Sequence, residues 1–223
     1  MVCGFCSAFL IKEIDTIQFF RCSWCEPITK NLELESAQAL QDINEIQPTF
    51  TIWCGGHRGE VSAPQAAEVV PNIYPGLFVV DIDDGNNINN LQKLGIGFVL
   101  NLCPGMLCGA YMEFPGKLAD ADIKMIAWPA DDAWGFDIVS KVVRKGACDF
   151  VELGLRSTNV LVNCWGGVNR SVSVELAFLI VKRKNITLID AIESTVERRG
   201  KVLTNRHFRL LLVKLTMAEG VLQ

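Results

Sequence analysis

The stretch from Asn159 to Ser171 limits the fold more than any other part of the chain. An apolar run, Asn159-Val160-Leu161-Val162, leads into Cys164-Trp165-Gly166-Gly167-Val168-Asn169-Arg170-Ser171, and a helical pattern continues to position 184. Strand, tight loop and helix in that order form one unit of a layered α/β fold, whose ligand sites lie beyond the carboxyl ends of the strands. A loop entering a helix N-terminus offers an anion several backbone N–H groups and the positive end of the helix dipole. The same surroundings stabilise a cysteine thiolate. Gly166 and Gly167 let the backbone turn its N–H groups toward one point. Arg170 adds a planar fork of donors suited to two phosphate oxygens. The expected chemistry is attack of a Cys164 thiolate on phosphorus, with Trp165, Gly166, Gly167, Val168, Asn169 and Arg170 cradling the phosphate.

Around this unit, strands are predicted at 73–80, 97–102, 124–128 and 159–163, and helices at 87–94, 138–154, 171–184, 188–198 and 206–218. The alternation predicts an α/β fold: a central, mostly parallel sheet flanked by helices, with the Cys-x5-Arg loop between a strand and a helix. Half of the residues are hydrophobic, enough for a well-buried core. The 223 residues suit an extension over 1–68 and one domain over 69–220. A net charge of −4 without a basic block argues against general binding of nucleic acid or anionic membranes. No apolar run is long enough to span a bilayer, and no signal peptide is expected at the N-terminus. Nine cysteines, an odd number, fit a reducing, cytoplasmic setting better than a disulfide framework.

Further segments carry a family likeness. Pro75-Gly76-Leu77-Phe78 reads as an opening strand, and Leu91 to Cys103 spells Leu-Gln-Lys-Leu-Gly-Ile-Gly-Phe-Val-Leu-Asn-Leu-Cys. Ala177-Phe178-Leu179-Ile180 follows the loop, and Arg198-Arg199 precedes Thr204, Asn205 and Phe208. With Cys164, Arg170 and Ser171, these segments resemble the cysteine-dependent protein phosphatases, most closely the dual-specificity branch, from about Val69 to about Glu219. The family carries His directly before its cysteine, and this chain has Asn163; it carries Pro where this chain has Thr204.

The resemblance implies an enzyme that hydrolyses phosphotyrosine and phosphoserine/threonine in proteins through a phosphocysteine, with no cofactor. It implies that the Ser171 hydroxyl helps the thiolate leave; Ser171 also reads as an N-cap. It further implies a general acid on a separate loop about thirty positions before the cysteine. Trp128-Pro129-Ala130-Asp131-Asp132-Ala133-Trp134 supplies Asp132 for that role, with Asp131 as the alternative. Asn163 can donate and accept hydrogen bonds but carries no charge, so a working but less acidic Cys164 is expected. The readings beside this one are a catalytically weak phosphate-binding module and a phosphatase for RNA 5′ ends or glucan. Trp128, Trp134 and Trp165 surround the two loops and are candidates for stacking on an aromatic ring or a sugar.

The N-terminal extension holds Cys3-x-x-Cys6 and Cys22-x-x-Cys25. That spacing suits a four-cysteine zinc site; the alternatives are free thiols on a docking segment and S-acylation of Cys3 and Cys6. A helix is expected from Leu32 to about Asn44, and Cys54 and His57 are candidate auxiliary ligands. Partners expected are phosphorylated proteins, with docking through the extension, and neither nucleic acid nor a transmembrane segment.

Overall fold

The computed structural model describes residues 75–104, 114–184, 186–200 and 202–221, together with 11–13, 16–18, 37–38, 41 and 67–68. Cys3, Cys6, Cys22, Cys25, Cys54, His57 and Cys108 lie outside the described residues, as does the expected helix of 32–44 except at 37, 38 and 41, which are helical.

The sheet is built from the expected apolar runs. Strands β1 (Ile11–Glu13) and β2 (Thr16–Gln18) form a separate antiparallel pair. The main sheet contains β3 (Ala67–Glu68), β4 (Leu77–Val80), β5 (Ile96–Asn101), β6 (Lys124–Ala127) and β7 (Asn159–Asn163), in the order β3-β4-β7-β5-β6. Strand β3 runs antiparallel to β4, and the other four strands are mutually parallel. Alternation divides the core between the two faces. Leu77, Val79, Leu100, Val160 and Val162 point to one side, and Phe78, Val80, Val99 and Leu161 to the other, all of them buried. Burial on both faces explains why Val160-Leu161-Val162 is continuously apolar.

Helices cover both faces. Leu91 of α2 (Ile88–Lys93) and Leu118 of α3 (Phe114–Asp120) close the smaller cluster. The larger one takes side chains from α4 (Ile138–Lys141), α5 (Ala147–Leu155), α6 (Arg170–Phe178), α7 (Leu188–Arg199) and α8 (Arg206–Glu219). The short α1 (Ile82–Gly85) follows β4 and is capped by Asp81, whose carboxylate accepts from Asp84 N at 2.9 Å. Among the described residues no helix is long and apolar enough to cross a membrane.

Two predicted helices differ in detail. The single helix expected over 138–154 is broken into α4, a 3₁₀ turn (Val143–Lys145) and α5. Gly146, at φ +112°, adopts a left-handed conformation that ends the first stretch and opens the second. The Trp128 indole donates to the Lys141 carbonyl at 3.2 Å, satisfying backbone released at the break. The helix expected over 171–184 widens after α6 into a π turn, Leu179–Arg183, closed by Lys184 N donating to Leu179 O.

Parallel pairing sets the position of the Cys164 loop. Asn163, the last residue of β7, lies opposite both Val80 and Asn101. Cys164 therefore leaves the sheet between the ends of β4 and β5, at the carboxyl edge where α/β folds place ligands.

Candidate active site

Cys164 is 1% exposed, and its Sγ lies 3.3 Å from Ser171 Oγ across the mouth of α6. The loop between them is fastened through its carbonyls. Trp165 O accepts from Ile82 N at 3.2 Å, Gly167 O from Arg199 Nε at 2.8 Å, and Val168 O from Leu203 N at 2.9 Å. Because C=O and N–H of one planar peptide unit point in opposite directions, the amides of Gly166, Val168 and Asn169 are turned away from these partners. That is the arrangement an anion needs. Gly167 cannot be another residue without strain. Its φ is +61°, and a Cβ there would stand 2.7 Å from the Val80 carbonyl carbon and 2.8 Å from Asp81 N.

Arg170 opens α6 and is buried; its Nη1 donates to Ala130 O at 3.1 Å, and its Nε has no protein partner among the described residues. One edge of the guanidinium thus ties the Cys164 loop to the Asp132 loop, and the other remains for a ligand. Arg199 lies behind the loop. Burial lowers its pKa, while Asp81, Cys164 and Asp84 act in the opposite direction.

The two loops meet at Asp132. Its Oδ2 accepts from Asn169 Nδ2 and its Oδ1 from Asn205 Nδ2, both at 2.9 Å. Asn169 Oδ1 accepts from Asn205 N and from Thr204 Oγ1, each at 3.1 Å. Asp131 is exposed and makes no side-chain hydrogen bond among the described residues. Two residues beyond Asp132, Trp134 lies in a tilted contact with His207, ring centroids 5.4 Å apart. Trp134 and Trp165 are 60% and 50% exposed, whereas Trp128 is packed against the core.

Electrostatics separate the described cysteines by environment. Burial pushes the Cys103 thiol up to about 11, with Cys164 adding to the rise and Arg170 opposing it. Burial likewise raises Cys148 to about 12. Both stay protonated at neutral pH and are poor nucleophiles. Glu175 of α6 is fully buried; desolvation pushes its carboxyl up to about 8, against a hydrogen bond from Thr195.

One expectation is corrected. Ser171 is not an N-cap: Asn169 holds that position, and the Ser171 hydroxyl faces Cys164. Among the described residues, neither carboxamide atom of Asn163 has a hydrogen-bond partner, although the residue is 1% exposed. The cause is the sheet's alternation, which sends its side chain toward Gly85, where a Cβ would stand 2.9 Å from Asn163 Cγ. Asn205, Thr204 and the Ala130 carbonyl were not recognised as parts of the site. Only the first had a local signal, as a residue suited to capping α8, where its Oδ1 accepts from His207 N at 3.0 Å.

A buried cysteine between a parallel strand and a helix, faced by a serine and backed by an arginine, defines the class of cysteine-dependent phosphatases. The family model "Dual specificity phosphatase, catalytic domain" matches residues 79–217, and the chain belongs to that family. It is a dual-specificity protein phosphatase. Human dual specificity protein phosphatase 26 is 31% identical over 169 residues, covering 74% of either chain. Dual specificity protein phosphatase Mpk3 of Drosophila melanogaster is 32% identical over 144 residues, which is 63% of this chain and 32% of the relative. Among solved structures, the fold is similar to a mouse putative dual specificity phosphatase complexed with zinc tungstate, with a TM-score of 0.58, 20% identity and coverage of 75% of this chain and 98% of that one. It is also similar to the Yvh1 phosphatase domain from Chaetomium thermophilum, with a TM-score of 0.56, 21% identity and coverage of 69% and 96%.

Proposed function

We propose that Cys164 is the nucleophile, Asp132 the general acid and base, Arg170 with the amides of 165–170 the phosphate clamp, and Ser171 the group that assists thiolate departure. The observation that carries this reading is the hydrogen bond from Asn169, inside the cysteine loop, to Asp132. It brings the candidate acid to the rim of the candidate phosphate site. In the first step the Cys164 sulfur bonds to phosphorus, the ester P–O bond breaks, and the leaving oxygen takes the Asp132 proton. In the second, Asp132 takes a proton from water, the water oxygen bonds to phosphorus, and the S–P bond breaks. The Ser171 hydroxyl donates to the departing thiolate. None of these steps uses a cofactor.

The substrates in this reading are phosphotyrosine and phosphoserine/threonine of cytoplasmic proteins, recruited in part through residues 1–68. A second reading, phosphate binding with slow turnover, is favoured by one observation, the unpartnered amide of Asn163. Hydrolysis of 4-nitrophenyl phosphate by wild type and Cys164→Ser separates the two. The enzyme reading requires the variant to lose the wild-type rate; equal background rates in both overturn it. Asp132→Asn should cost about 10²–10⁴-fold on an ester with a basic leaving group. Phosphopeptides, triphosphate RNA and phosphoglucan compared side by side test the substrate class.

A further inference from the structure

The segment that carries Asp132 is fixed along its length. Trp128 N donates to Asn101 O at 2.8 Å, and Ala130 N donates to Leu102 O at 3.1 Å. Ala130 O accepts from buried Arg170. Asp132 accepts from Asn169 and Asn205, and Trp134 meets His207. Every second residue from 128 to 134 is therefore attached to the scaffold, at the end of β5, the Cys164 loop or the N-terminus of α8.

Asn205 does two jobs with one carboxamide. Its Oδ1 caps α8 through His207 N, which fixes the orientation of the amide plane and leaves Nδ2 directed at Asp132 Oδ1. Asn169, held by Asn205 N and Thr204, directs its own Nδ2 at Asp132 Oδ2. A carboxylate with a donor on each oxygen cannot rotate about its χ2 without losing one of them.

We infer that Asn205 and Asn169 are positioning residues for Asp132, holding its carboxyl over the Cys164 loop before substrate arrives, so that the acid segment is a preset arm and not a closing lid. The inference rests on the reading of Asp132 as general acid. Preset geometry matters because a proton-transfer group must lie within hydrogen-bond reach of the leaving oxygen, and small misplacements are costly. Asn205 touches no reacting atom in this scheme, and of Asn169 only the backbone amide faces the phosphate.

The test compares two substrates in the full-length protein. Phenyl phosphate releases a basic oxyanion that needs a proton; 2,4-dinitrophenyl phosphate releases one that does not. Asn205→Ser retains an N-cap oxygen for α8 and removes the donor to Asp132. It should lower kcat/KM for phenyl phosphate by about tenfold or more and change that for 2,4-dinitrophenyl phosphate by less than about threefold. On an Asp132→Asn background Asn205→Ser should cost nothing further, because the group it positions is gone. Equal losses on both substrates, or full additivity with Asp132→Asn, would overturn the positioning role while leaving Asp132 as the acid. If Asp132→Asn itself cost no more on phenyl phosphate than on the dinitrophenyl ester, the acid assignment would fall, and the positioning role with it. The dinitrophenyl rate also reports folding, since it requires an intact Cys164 loop.

Discussion

The two loops of the site are held in opposite ways. The Cys164 loop is fastened by backbone carbonyls and burial: Trp165, Gly167 and Val168 each give a carbonyl to a neighbouring element, and Cys164, Arg170 and Ser171 are buried. The Asp132 loop starts from two backbone bonds to the end of β5, but its exposed stretch from Asp131 to Gly135 hangs on side chains from elsewhere, Asn169, Asn205 and His207, with Arg170 holding Ala130 beside it. Backbone fastening tolerates side-chain change but not a change of main-chain shape. Side-chain fastening has the reverse sensitivity. The difference teaches which substitutions should damage binding of phosphate in general and which should damage only proton delivery.

The sharpest test is Arg170→Lys. A single ammonium cannot replace the planar fork, and kcat/KM should fall by about 10²–10³-fold. The fall should be similar for phenyl and 2,4-dinitrophenyl phosphate, unlike that of Asp132→Asn; a strong dependence on the leaving group would erase the contrast between the loops. Gly167→Ala should come next, destabilising the protein by about 1–3 kcal/mol through overpacking against Val80 and Asp81, with left-handed strain added. The equivalent step on the other loop, Ala133→Ser, falls on an exposed residue and should stay within about 0.5 kcal/mol. Chemical denaturation of both variants checks the pair.

Glu175 tests the scaffold behind the cysteine loop. Its folded pKa of about 8 lies above the ordinary 4.5. Between those values the unfolded chain releases the proton and the folded one keeps it, so stability falls as pH rises, by at most about 1.4 kcal/mol per unit. Glu175→Gln should remove this part of the slope, measured as the difference in unfolding midpoint between wild type and variant from pH 5 to 8. A modest effect is expected from Trp134→Ala, which removes the His207 contact at a cost of about 0.5–1.5 kcal/mol.

Much of the Cys164 side was legible in the sequence because its determinants are contiguous. An apolar run, two glycines and a helical pattern give the local shape directly, and β7 spans 159–163 as expected. The acid loop could be located only by spacing within a family likeness, and its fastening could not be read at all. Asn169 and Asn205 are far apart in sequence and meet only because α8 returns to the loop. The broken helix at Gly146 was missed for a related reason: apolar periodicity continues through the break, and only the left-handed backbone there interrupts it. Asn163 shows the limit of reasoning from residue type. Its capacity to donate and accept is real, but strand alternation points it at Gly85.

The pairing of Ala67 and Glu68 with Val79 and Phe78 has a practical side. A chain begun at residue 69, where the family likeness starts, would retain every proposed catalytic group and lose β3. The outer edge of β4 would then carry open amides and carbonyls beside buried apolar residues, the arrangement that recruits strands from other molecules. Such a shortened protein should precipitate at concentrations the longer one withstands, and starting the chain a few residues before Ala67 should restore its solubility.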